Sequence, residues 1–150
     1  MRVAVLLLGA LALCACAVST VSTVNQPTVD VSTAPRRPLT AAEKAALAPL
    51  LAQDMKDPNA AQFKWMPVII AKRDNITDYC GLVNGKNTYG GYTGYHRFYA
   101  FLTADAKGQY TRGEARAFEE PNREINPIDP RWLNGVCEQY GYVDFSQAQP

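Results

Sequence analysis

A single histidine, His96, is all that 150 residues offer. One imidazole cannot build the clustered ligand sets of zinc or other His-based metal sites, so no metal and no cofactor is expected. Charge of one sign is missing as well. Lys plus Arg number 15 and Asp plus Glu 14, so the chain has no long-range field to steer phosphate, and nucleic acid is not an expected partner. Long apolar runs are also lacking. The longest, Val3 to Leu13, is broken only by Gly9 and falls well short of the roughly 20 residues that span a bilayer. No G-x-S-x-G, H-E-x-x-H or complete P-loop pattern occurs. Gly81 to Asn87 faintly echoes a P-loop, but it is one residue short and Asn87 stands where Ser or Thr is required.

What is there begins with address. Met1-Arg2 supplies one positive charge, and the apolar run follows it, the pattern of a secretory signal. Leu13-Cys14-Ala15-Cys16 then puts Leu at −3, a small residue at −1 and Cys at +1. This resembles the lipobox of bacterial lipoproteins. The resemblance implies removal of residues 1–15 and acylation of Cys16, and Ala17 in place of Asp implies passage to the outer membrane, facing the periplasm. Two or three acyl chains would hold the protein stably at a membrane. Ala15-Cys16-Ala17 also fits an ordinary A-x-A site, which would release a secreted, unlipidated protein. Residues 16–38, rich in Ser, Thr and Val and carrying Pro27, Pro35 and Pro38, read as a lipidated flexible tether. The alternative is a strand over Thr28 to Ser32.

Residues 39–150 read as one domain, since roughly 110 residues support a single modest core. Thr40 to Glu43 spells a capping box, and Leu47, Leu50, Leu51 and Met55 follow at helical spacing. Pro49 inside that pattern is expected to bend or split the helix. Phe63 to Lys72 is strand-like with Pro67 as a bulge or edge mark. Thr77 to Asn84 and Tyr95 to Ala104 are further strands, with a Gly/Asn/Tyr loop at 85–94 between them. A turn with Lys107-Gly108 at its tip follows, and Tyr110 to Phe118 suits a strand or a helix. A closing helix runs from Asp129-Pro130 towards Gln139 and Gly141. The expected fold is α+β, a small antiparallel sheet of three or four strands with helical segments on one face.

Outside the signal and the lipid site, Cys80 and Cys137 remain, and an exported domain of this size most often pairs such a couple. Residues 79–102 read YCGLVNGKNTYGGYTGYHRFYAFL. They resemble a run of the form C-G-x-V-N-x-K-N-x-x-G-G-Y-x-G-x-x-x-F in small exported proteobacterial proteins, and Asp57-Pro58-Asn59-Ala60-Ala61-Gln62-Phe63 resembles a D-P-x-S-A-x-F element that accompanies it. The resemblance implies address and fold and carries no activity. Gly90, Gly91 and Gly94 are suited to positive φ in a tight hairpin. Tyr89, Tyr92 and Tyr95 either pack over these glycines or present flat rings to a glycan or protein. In the following strand Tyr95, Arg97, Tyr99 and Phe101 share one face, to be covered by a helix or by a partner. Glu119 and Glu120 point to opposite faces if in a strand and make no carboxylate pair.

No catalytic residue is assigned. The reading is a non-catalytic envelope lipoprotein that docks onto another envelope component, a protein or peptidoglycan, with Tyr89, Tyr92, Tyr95, Arg97 and Tyr99 as the partner-binding candidates. An inhibitor of a cell-wall-degrading enzyme and an enzyme acting on peptidoglycan are the competing readings.

Overall fold

A computed structural model describes residues 30–70, 75–119 and 130–150. The export signal, Cys16, the tether as far as residue 29, residues 71–74 (the end of the expected 63–72 strand and the first half of the turn at 73–76), Glu120 and the proline-rich stretch to Asp129 lie outside the described residues. The elements run β1 (Arg36–Arg37), α1 (Ala41–Leu51), β2 (Gln62–Lys64), β3 (Val68–Ile69), β4 (Ile76–Lys86), β5 (Tyr92–Ala104), β6 (Tyr110–Phe118) and α2 (Pro130–Gln139). The fold is α+β. Strands β4, β5 and β6 form an antiparallel meander, β2 adds beside β4, and β1 with β3 makes a separate two-stranded ribbon. Among the described residues no helix is long and apolar enough to cross a membrane.

Helix α1 begins as its sequence dictates. Thr40 Oγ1 accepts the Glu43 N–H at 3.2 Å, and the Thr40 N–H donates to Glu43 Oε2 at 2.8 Å, the reciprocal satisfaction of two orphan donors. Pro49 does not split the helix: α1 runs through it without a break. It sits in the last turn, and α1 ends two residues later at Leu51, so its missing N–H removes a ladder bond only where the ladder is already ending.

Phe63 to Lys72 is not one interrupted strand but two, in different sheets. Pairing with β4 ends at Lys64, Trp65 bridges to Gln149, and beyond Pro67, which has no N–H for a central ladder, Val68 and Ile69 pair with Arg37 and Arg36. The sequence pattern places those two arginines in the tether. They belong to the fold because Arg36 donates to the Gly141 carbonyl at 2.8 Å and the Arg37 fork grips Glu43 at 2.7 and 2.6 Å. The expected loop at 85–94 is shorter, because β4 and β5 stay paired out to Lys86 and Tyr92. Asn87 closes the turn, its Oδ1 accepting the N–H groups of Tyr89 and Gly91. Gly90 and Gly94 take positive φ there, and Gly91 does not. Tyr110 to Phe118 resolves as strand β6.

The helices lie on opposite faces of the sheet, not on one. Leu102 pairs with Thr77 and Gly113, and Leu47 and Leu51 of α1 sit over this row. A Cβ on Gly113 would meet their Cδ2 atoms at 3.0 and 3.1 Å, so Gly113 sets how closely α1 approaches β6. Both leucines are fully buried, each worth about 1.5–3 kcal/mol. Phe63, Tyr79 and Phe98 continue the core along the same face, with Phe98 5.6 Å from Phe63 and 6.0 Å from Tyr79 between ring centres. On the other face Cys80 and its neighbour Tyr99 meet α2. That helix ends in a left-handed cap: Gly141 has φ +84°, its N–H reaches Glu138 O at 2.9 Å, and the Tyr142 N–H reaches Cys137 O at 2.8 Å, the 5→2 and 6→1 bonds of a Schellman motif. The cap delivers the fully buried Tyr142 ring against Tyr79 at 5.6 Å.

Candidate functional site

Cys80 and Cys137 form a disulfide with Cα atoms 5.9 Å apart, pinning α2 to the middle of β4. The five aromatic and arginine candidates do not form one surface. Tyr99 is only 7 % exposed. Its hydroxyl donates to Asp78 Oδ1 at 2.5 Å and its ring stacks on Tyr140 at 6.0 Å. Burial and then the Asp78 carboxylate push its pKa well above the ordinary tyrosine value. Arg97 is half-buried, hydrogen-bonded to Asn134 of α2 and placed 4.8 Å over the Phe145 ring. Both are therefore corrected from partner-binding candidates to packing residues: α2 and the chain after it cover that part of the face. Tyr95 lies beyond the cover, half-exposed, with Lys64 Nζ 4.3 Å from its ring centre. Tyr92 donates its hydroxyl to Ala60 O at 3.0 Å, and Lys86 Nζ lies 5.7 Å from its ring centre. Tyr89, at the hairpin tip, is 95 % exposed.

Beside that tip a cleft of ≈ 470 Å³ opens where α1 stops short of the end of the sheet. Its floor is built by strand register. Val83 pairs with His96, and Phe118 pairs with Phe98, two residues further along β5, so Val83, His96 and Phe118 look out on one face. One wall is the segment after α1, Asp54 to Lys56. The other is the β4–β5 hairpin from Gly85 to Tyr89. The walls are tied to each other. Lys56 Nζ donates to Thr88 O at 2.9 Å, and Lys86 pairs with Asp57 at 3.1 Å. The Met55 methyl sits where a Cβ on Gly85 would be, 2.4 Å from that position, so glycine there seats Met55 in the cleft.

The lining chemistry is mixed. His96 Nε2 lies 3.3 Å from Thr93 O. Glu119 Oε2 accepts the Arg97 N–H at 3.1 Å, and the Glu119 N–H returns to Arg97 O at 2.8 Å, while Oε1 makes no hydrogen bond among the described residues. Asn87 spends Oδ1 on its own turn, while its NH₂ group makes no hydrogen bond among the described residues. Among the described residues no three metal-ligating side chains converge. The lining offers groups for binding: Val83 and Phe118 beside His96 on the floor, donors and acceptors on the walls, and an aromatic ring at the rim. Of the lining residues, sequence reasoning singled out Tyr89. It missed Met55, Val83 and Phe118 as lining residues, and only the strand register and the early end of α1 bring those together.

No family model, curated protein or solved structure matches this chain.

Proposed function

We propose that the chain is a lipid-anchored protein of the bacterial envelope that docks non-covalently onto another envelope component with the end of the domain carrying the β4–β5 hairpin. The anchor is read from Leu13-Cys14-Ala15-Cys16, and the disulfide suits an oxidising compartment. The observation that carries the docking reading is the polarity of the domain. The chain leaves towards Cys16 from Asp30, next to Val31, which packs beside Gly141 and Ile69. That corner touches the start of β4, since the Tyr142 hydroxyl donates to Asp78 O at 3.3 Å. Tyr89 and the cleft lie past the other end of β4. The strand spans ten residue steps, about 33 Å at ~3.3 Å each. The end from which the chain leaves and the exposed aromatic end therefore lie at opposite ends of β4, an arrangement that suits docking on the side away from an anchoring membrane.

The test is site-specific photocrosslinking of the full-length protein in whole cells, with the photoreactive residue at Tyr89 or at Val143. Val143 is also exposed, at 73 %, but sits at the anchored end. Discrete adducts from position 89 and none from 143 support the reading. Adducts from neither position, or recovery of the protein from the soluble fraction, refute it.

A further inference from the structure

We infer that the hairpin-end cleft is a glycan site for N-acetylated hexosamine chains; this rests on the docking reading and specifies its ligand. Three features of the cleft select that class. The first is charge. Lys56 and Lys86 face Asp54 and Glu119 in the lining, and Asp57 pairs with Lys86, so the described groups carry no net positive charge with which to hold a phosphate or an acidic peptide. A neutral, heavily hydroxylated ligand suits it. The second is the pairing of groups. A hexosamine ring has polar edges and an apolar face. The Asn87 NH₂ group and the Glu119 Oε1 atom, both without partners among the described residues, offer a donor and an acceptor for its edges. The Tyr89 ring, almost wholly in solvent, offers a flat apolar plate for its face. The third is apolar surface. Val83 and Phe118 on the floor, with Met55 on the wall beside them, line the cleft beside His96 with apolar groups that accept the methyl of an N-acetyl group. The volume lies within the ~300–1,000 Å³ of small-ligand sites, and the open rim lets a chain continue past it.

The experiment uses the full-length protein in detergent micelles with methyl-labelled methionine. Met55 lines the cleft and Met66, 2 % exposed, lies in the core, so the molecule carries its own control. The probe is a tetramer of N-acetylglucosamine, set against a tetramer of glucose. The expected result is a saturable movement of the Met55 methyl signal with the first probe only, and an unmoved Met66 signal. Tyr89→Ala is expected to weaken binding by about two- to tenfold, the range of one aromatic contact, while leaving the Met66 signal in place as proof of folding. An unmoved Met55 signal at millimolar probe overturns the proposal, and so does an equal response to the glucose tetramer. If Met55 stays still while position 89 crosslinks to a protein in cells, the glycan assignment fails and the docking reading stands. If both fail, both readings are wrong.

Discussion

Replacing Glu43 by glutamine tests how this domain is held to its own N-terminal segment. The Glu43 side chain is 1 % exposed and takes four hydrogen bonds: both Arg37 Nη atoms at 2.7 and 2.6 Å, the Thr40 N–H at 2.8 Å and the Tyr110 N–H at 2.9 Å. It thus ties β1, the α1 cap and the start of β6 together. Burial alone would raise its pKa, but the hydrogen bonds from Arg37 and from the two backbone N–H groups outweigh burial and hold it at about 2, against 4.5 unfolded. That displacement corresponds to about 3 kcal/mol in favour of the charged native form. The Arg37 side chain is 29 % exposed, and solvent screening lowers the expected effect to about 2–3 kcal/mol. A carboxyl with a depressed native pKa stabilises fully above its unfolded value and loses that contribution as pH falls through the native one. The contribution is therefore intact above about pH 4.5 and gone near pH 2. Glu43→Gln keeps the shape and discards the charge, and it turns an NH₂ group towards donors. Urea unfolding followed by tryptophan fluorescence, with the disulfide intact, should place the variant about 2–3 kcal/mol below the parent at pH 7 with an unchanged m-value. The gap should close as pH falls from 4.5 towards 2. A gap that stays constant over that range would refute the reasoning, because it would show that the ionised state of Glu43 contributes nothing.

Reduction of the Cys80–Cys137 bond, or Cys137→Ala, should lower stability by about 4 kcal/mol on the chain-entropy account of a 57-residue separation; urea midpoints with and without reductant measure it. Gly113→Val should cost about 1–3 kcal/mol, since its new carbons push Leu47 and Leu51 of α1 off the sheet. Gly141→Ala should cost at least about 1 kcal/mol through the left-handed φ alone, and contacts at 3.0–3.2 Å with Ile69, Arg36 and Val31 add to that. Thermal unfolding of both variants should show the loss without any change in the strand content seen by circular dichroism.

Local chemistry was legible in the chain and long-range chemistry was not. Thr40 and Glu43 announced the helix start because both halves of a capping box lie within four residues. Nothing near Glu43 announced that the same carboxylate takes the Arg37 fork and the Tyr110 N–H, 67 positions away. Pro49 carried a real signal whose weight depended on where the helix ended, and packing decided that. The Tyr95–Phe101 alternation identified two faces correctly, yet residue types alone could not say that α2 would take Arg97 and Tyr99 and leave Tyr95 half-exposed. Arg36 and Arg37 read as spacer because two residues make no periodicity. Their strand exists only through Val68 and Ile69. In the cleft, Tyr89 stood out by composition, whereas Asn87 read as a turn residue and Met55 and Phe118 look like ordinary core residues until β6 runs past the end of α1.

The account turns on the state of Cys16. Intact-mass spectrometry of the protein extracted from membranes of its native cells tests it most directly. The account predicts a chain beginning at Cys16, carrying acyl groups on its sulfur, with Cys80 and Cys137 oxidised. A chain beginning at Val18 without lipid, or one retaining residues 1–15, would contradict it.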